Sequence, residues 1–166
     1  MGFVLAPGDV QLFQEPLRST ALDLAAFMVP SGMMQAHTRA LIAASTFSVI
    51  TGETVAGIYD HTSGRNLKIA AECRGDRLQA FDGERGVRFG GTLPELYDEG
   101  DEAYVSLEVA GDKARGHDRA SASDYSAHVE DGLVRLYDYA ASEWFAYDMQ
   151  GPETGFAYHR DLQAGR

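Results

Sequence analysis

Residues 117–145, HDRASASDYSAHVEDGLVRLYDYAASEWF, carry one pattern twice: a ring-bearing residue followed by Asp, then a run of small residues, then another large ring. His117-Asp118 leads to Tyr125, Tyr137-Asp138 leads to Phe145, and Asp131-Gly132 stands between the two units. Asp-Gly is a favoured dipeptide for a two-residue type I′ hairpin turn, and its flanks here are β-branched and aromatic. The stretch therefore reads as consecutive antiparallel hairpins, with longer loops after each Asp and a tight turn between units.

The pattern recurs upstream at Tyr59-Asp60, Phe81-Asp82 and Tyr97-Asp98, so the five Asp positions are spaced by 22, 16, 20 and 20 residues. Each unit later reaches a large residue: Leu67, Phe89 and Tyr104 in the upstream copies. In four units the residue before Asp and that later residue are eight apart, symmetric about the loop. This predicts cross-strand pairs Tyr59 with Leu67, Phe81 with Phe89, His117 with Tyr125 and Tyr137 with Phe145. Each Asp is expected to accept hydrogen bonds from loop amides two or three residues on, as in an Asx turn. The Tyr97–Tyr104 unit is one residue shorter and predicts a different loop or a bulge. Gly75-Asp76 and Gly111-Asp112 supply further tight turns.

One repeat is thus one hairpin, of roughly 20 residues. The expected class is mainly β (α+β by content): an antiparallel meander of about ten strands, closed or nearly closed into a barrel because long open edges invite aggregation. A radial arrangement of hairpins is the alternative. The β-body is expected over 46–160 and a helical front over 1–45, in a single domain spanning 1–166.

In that front, Thr20 followed by Asp23 has the form of a capping box, and Pro30-Ser31-Gly32 stops the apolar run that follows. Ser31 can cap a second helix in which Met33 or Met34, His37, Leu41 and Ala44 recur at helical spacing, with Gln35, Thr38 and Arg39 toward water. A helix-turn-helix pair packed on the barrel is the expectation, and it has no basic recognition face for DNA.

Twenty-five Asp and Glu against 14 Lys and Arg give a net charge of −11, which disfavours nucleic acid because that affinity comes largely from cations displacing counterions. The one dense acidic cluster is Asp98, Glu99, Asp101 and Glu102 around Gly100. It is a candidate contact surface for a basic protein; its glycine position and length do not fit an EF-hand loop, so no metal is expected there. The lone Cys73, between Glu72 and Arg74, excludes an internal disulfide and CxxC chemistry. The N-terminal residues lack a basic region followed by an apolar run, and no apolar stretch is long enough to span a membrane. A soluble cytoplasmic protein is expected.

Elbow-hydrolase, zincin and P-loop motifs are absent, and the five histidines form no i, i+2 or i, i+4 pair. No catalytic residue, cofactor or metal is assigned. His117-Asp118, with His128, His61 and His159 elsewhere, is the one suggestion of a general base, yet His117 occupies a repeat position that is otherwise Tyr or Phe. The aromatic series suits ligand or partner contact, which makes Tyr97, Tyr104, His117, Tyr125, Tyr137 and Trp144 candidate binding residues. Trp144 and Phe145 should face opposite ways, leaving Trp144, Tyr139 or Tyr147 outside.

Three readings follow. The first is a non-enzymatic binding or interaction module whose β-body contacts a small apolar or aromatic ligand or a protein partner. The second is an acidic inhibitor, immunity or nucleic-acid-mimic protein docking on a basic surface. The third is a small barrel enzyme using His117 and Asp118. Homo-oligomerisation fits any of them. The order of two helices and then a long meander is similar in topology to the intracellular fatty-acid-binding proteins, where a helical pair lids a barrel. That resemblance carries no motif; it implies interior basic anchors, for which Arg115 and Arg135 are the candidates.

Overall fold

The computed structural model describes residues 33–152: one helix, α1 (Ala36–Thr51), and twelve strands. These are β1 (Gly57–Asp60), β2 (Arg65–Leu67), β3 (Ile69–Arg74), β4 (Arg77–Asp82), β5 (Val87–Thr92) and β6 (Glu95–Asp98) in the first half. The second half adds β7 (Ala103–Ser106), β8 (Glu108–Ala110), β9 (Lys113–Asp118), β10 (Ser123–Glu130), β11 (Leu133–Asp138) and β12 (Glu143–Gln150). All belong to one antiparallel sheet in the order β2-β1-β12-β11-β10-β9-β7-β6-β5-β4-β3, with β8 paired to β9.

Only Lys68 separates β2 from β3, so one run of chain pairs with β1 at its start and with β4 further on. Backbone hydrogen bonds of 2.8 and 3.0 Å between Val55 and Ala71 bring the two ends of the strand order together. The sheet is a nearly closed barrel.

Each of the five Asp residues is the last paired residue of its strand, and four loop residues follow before pairing resumes: Asp60↔Arg65, Asp82↔Val87, Asp98↔Ala103, Asp118↔Ser123 and Asp138↔Glu143. The fourth loop residue is left-handed in every copy: Gly64, Gly86, Glu102, Ala122 and Ser142, with φ between 54° and 70°. An even loop centres the hairpin between two residues rather than on one. The expected pairs are therefore displaced by one position: Tyr59 opposes Asn66, Phe81 opposes Arg88, His117 opposes Asp124 and Tyr137 opposes Trp144.

One residue of register exchanges faces. The rings that precede Asp consequently point outward, while Asp and the residue seven further on, Leu67, Phe89, Val105, Tyr125 or Phe145, point inward and are buried. On this frame the Tyr97 unit is not shorter. Its inward residue is Val105, and Tyr104 opposes Tyr97 outside.

The Asx turns form as expected, with loop amides donating to Asp Oδ1 at 2.8–3.1 Å from Thr62, Glu84, Gly100, Ala120 and Ala140. Gly116 faces Tyr125 across β9 and β10, and a Cβ there would collide with the Ser106 carbonyl that the Tyr125 hydroxyl bonds at 2.8 Å.

Helix α1 lies within the curl of the sheet. Thr38 and Ala40 to Ser48 are buried without interruption, and the helix packs on β3 and β4 as well as on β10, β11 and β12, from opposite ends of the strand order. A helix enclosed on all sides needs no polar face. Small residues Ala40, Ala43, Ala44, Ser45 and Ser48 let the wall approach, and the Ser45, Thr46 and Ser48 hydroxyls make no hydrogen bond among the described residues.

The described residues contain one helix, not a pair; the helix expected from Thr20 and the Ser31 cap lie outside them. Helix α1 begins behind Gln35, whose side chain makes no capping bond, and continues past residue 45 to Thr51, where Gly52 (φ 78°) ends it. Burial among the strands overrides the β preference of Thr46, Val49 and Ile50. Thr38 is buried, and the Arg39 side chain is only 11% exposed. The described residues form twelve strands rather than about ten. No helix among the described residues is long and apolar enough to cross a membrane.

Candidate functional site

The inward face at the long-loop end is occupied by five buried carboxylates. Each takes loop amides on Oδ1 and a second donor on Oδ2. Ser63 and Ser121 hydroxyls, three residues on, serve Asp60 and Asp118 at 2.9 and 2.6 Å. Where that hydroxyl is missing, an arginine substitutes: Arg85 reaches Asp82 at 2.6 Å and Asp98 at 3.2 Å, and Arg39 reaches Asp138 at 3.4 Å while stacking over Phe145. Burial opposes the charge on Arg85, but hydrogen bonds and the charges of Asp82 and Asp98 outweigh it and hold the guanidinium above its ordinary pKa.

The acidic cluster is partly drawn into this network. Asp98 is buried, and half-buried Asp101 takes Arg85 at 3.4 Å, His37 Nε2 at 3.1 Å and the Thr38 hydroxyl at 3.2 Å, leaving Glu99 and Glu102 exposed. His37, Asp98 and Asp101 place potential ligand atoms within 4.8 Å of one another, but the Arg85 guanidinium already bonds both carboxylates. Asp98 and Asp101 are thereby committed to an ion-pair network.

His117 and Asp118 point to opposite faces, so they do not form a dyad. His117 Nδ1 instead lies 2.8 Å from Asp124 outside, and Asp118 is buried inside. His128 pairs with Asp112 at 3.0 Å, and that hydrogen bond holds the Asp112 carboxyl below its ordinary range. The two imidazoles occupy opposite ends of the β9–β10 register, with His128 facing Lys113 and His117 facing Asp124. His61 joins Asp148 at 2.8 Å, and His159 lies outside the described residues. Burial, and next to it the charge of Asp76, raises the Cys73 thiol above its ordinary pKa.

The outward face is more open. Register places Glu108, Arg115, Ser126, Tyr137 and Trp144 in one row across β8, β9, β10, β11 and β12. The adjacent row is Ala110, Lys113, His128, Arg135 and Ala146. Tyr137 is flanked edge-on by Tyr139 and Trp144, with centroids 4.8 and 5.1 Å away, and those two flanking rings are 55% and 59% exposed. Because Ser126 is small, Trp144 overlooks a groove of about 540 Å³ whose far wall is β8 with exposed Val109 and whose polar lining is Lys113, Arg115, His128, Glu108 and Ser126. A second groove of about 660 Å³ crosses β4 and β5 beside Phe81, Arg88 and Tyr97.

Of the expected binding residues, Trp144 and Arg115 line the first groove and Tyr137 supports it. Tyr97 lines the second groove and packs edge-on with exposed Tyr104 at 4.9 Å. His117 lies on the same outer face. Tyr125 is a core residue, 1% exposed, and Tyr147 is likewise buried rather than outside. Arg115 and Arg135 are not interior anchors: they stand outside, paired with Glu108 at 3.5 Å and Glu130 at 2.9 Å. The barrel holds a helix where a fatty-acid-binding barrel holds its ligand. Lys113, His128 and Ser126 were not foreseen as groove residues; the alternation Lys113, Arg115 before the Asp118 loop and Ser126, His128 after it was the available signal.

Comparison with protein-family models, with curated proteins and with solved structures gives no match.

Proposed function

We propose that the protein is a non-enzymatic binding module that engages a small aromatic or apolar ligand on the outside of its β-body, in the groove beside Trp144. The observation that carries this reading is the 59% exposure of a tryptophan on the wall of a groove of about 540 Å³, on a barrel whose interior is taken up by α1. A ring of that size left in water gives up a large burial free energy, and pockets of a few hundred Å³ with an aromatic wall and a few polar groups suit small ligands. The reading is supported further by Tyr137, which packs edge-on against the indole and is itself backed by Tyr139.

The test is a panel of neutral and charged aromatic fragments titrated into the ¹⁵N-labelled full chain. Binding fragments are expected to shift the Trp144 indole resonance and the amides of Arg115, Ser126 and His128, while Leu136 and Ile58 in the core stay fixed. A panel in which no fragment moves the Trp144 indole overturns the proposal, as does one whose hits move only core amides.

A further inference from the structure

On the reading that the groove beside Trp144 is a binding site, we infer that its ligand is a planar anion, an aryl carboxylate, with its ring against the Trp144 indole and its carboxylate between Lys113, Arg115 and His128. The chain carries −11, yet three of the four ionisable side chains lining this groove are nitrogen bases, with Glu108 the one carboxylate. The lining thus lacks the acidic excess of the chain as a whole.

Lys113 and His128 are direct register partners on β9 and β10, and Arg115 lies two residues from Lys113 on the same face. The three side chains therefore rise from one small patch. Arg115, His128 and the neighbouring Arg135 each have a carboxylate within 3.5 Å, whereas Lys113 has none among the described residues. The Arg115–Glu108 pair is long and solvated on both sides, so it competes weakly with an incoming carboxylate. An ammonium and a guanidinium together offer the charge-assisted, forked donors that a carboxylate accepts.

Distance fits the same class. Arg115 and Trp144 lie in one row, three strand spacings apart, or roughly 14 Å between backbones. Both residues line the groove across that span, which has room for one aromatic ring with its carboxylate. A second copy of this chain brings another −11 and is repelled, and a nucleic acid brings a denser negative field than the rim carboxylates Glu108 and Asp112 tolerate. A small monoanion meets only the local charge.

The experiment titrates 4-nitrobenzoate and its neutral isostere 4-nitrobenzamide against the fluorescence of Trp144, the single tryptophan, with free tryptophan as the control for collisional quenching and absorbance. The expected result is saturable quenching by the benzoate, with at least about tenfold weaker binding of the amide and a similar loss in Lys113→Met and Arg115→Gln. Both substituted side chains are solvent-exposed, so the variants retain the fold. Equal affinity for benzoate and benzamide, or an unchanged benzoate affinity in Lys113→Met, overturns the anion assignment while leaving the groove reading intact. Quenching by the benzoate no different from that of free tryptophan overturns the anion assignment as well. The groove reading itself then stands or falls on whether any fragment of the panel moves the Trp144 indole.

Discussion

The hairpins tipped by Asp118 and by Asp98 share one backbone and differ in what donates to the second oxygen of the carboxylate. In both, Asp is buried and last in register, Oδ1 takes an amide two residues on, and a left-handed residue closes the loop, Ala122 in one and Glu102 in the other. At Asp118 the second donor is the Ser121 hydroxyl, neutral and three residues away. At Asp98 it is Arg85, from the preceding hairpin, which also holds Asp82 and Asp101. One loop is complete by itself; the other is complete only when its neighbour and α1 are in place. A repeat can thus conserve its geometry while moving its electrostatics from local to tertiary partners.

The strongest break in that comparison is Asp98→Ala, which strands two loop amides and removes one anchor of Arg85. It is expected to cost about 3 kcal/mol in urea unfolding, the scale for removing one partner of a buried ion pair. Asp118→Ala, which leaves one amide and one hydroxyl unpaired, should cost less, about 1–3 kcal/mol. The Asn variants sharpen the contrast: Asp118→Asn keeps a neutral pair and Asp98→Asn leaves Arg85 undercompensated, so equal losses for the two would erase the distinction drawn between the loops.

Alkaline pH separates the hairpins in another way. Burial, with Glu108 and Asp118 nearby, raises the pKa of Tyr125 above its ordinary value, and burial with Asp60 nearby does the same for Tyr147. Above about pH 10 the unfolded chain has released these protons while the folded chain still binds them. Stability is therefore complete below about pH 10 and falls above it by about 1.4 kcal/mol per pH unit for each buried phenol. Tyr125→Phe should remove one such increment from unfolding curves recorded across that range. In the Asp98 hairpin the same inward position is Val105, which has no proton to lose. The smallest expected effect is a gain: Ala122→Gly or Glu102→Gly relieves a left-handed non-glycine residue and should stabilise by about 0.5 kcal/mol once the extra chain entropy of glycine is counted. A loss in either variant would mean that the side chain contributes more than its backbone conformation costs.

The hairpin repeat and the Asx role of Asp were legible because both depend on residues within a few positions of each other. The face assignment was not, because it turned on whether the loop holds an odd or even number of residues, and Gly, Ala, Ser and Glu all fill the same left-handed position. Tyr125 and Tyr104 were consequently given the same role although one is core and one is surface. Arg39 and His37 had no local signature, since their carboxylates lie 99 and 64 residues away in sequence, and of Arg85's partners only Asp82, three residues before it, was local. Of the groove, Trp144 was legible from alternation; the cationic side came from strands that only the sheet order brings beside it.

The pairing of β12 with β1 has a consequence for how the chain is made. It joins residues 87 apart, such as His61 and Asp148, and it is the seam along which the wall around α1 is completed. During synthesis the first strand emerges early and keeps one flank open until Glu143–Gln150 leaves the ribosome. Every hairpin in between can form locally, but enclosure of the helix waits for that last segment, a long-range closure of the kind that folds slowly. A chain interrupted before Glu143 would display two raw edges, β1 and β11, which is the geometry that recruits further strands and aggregates.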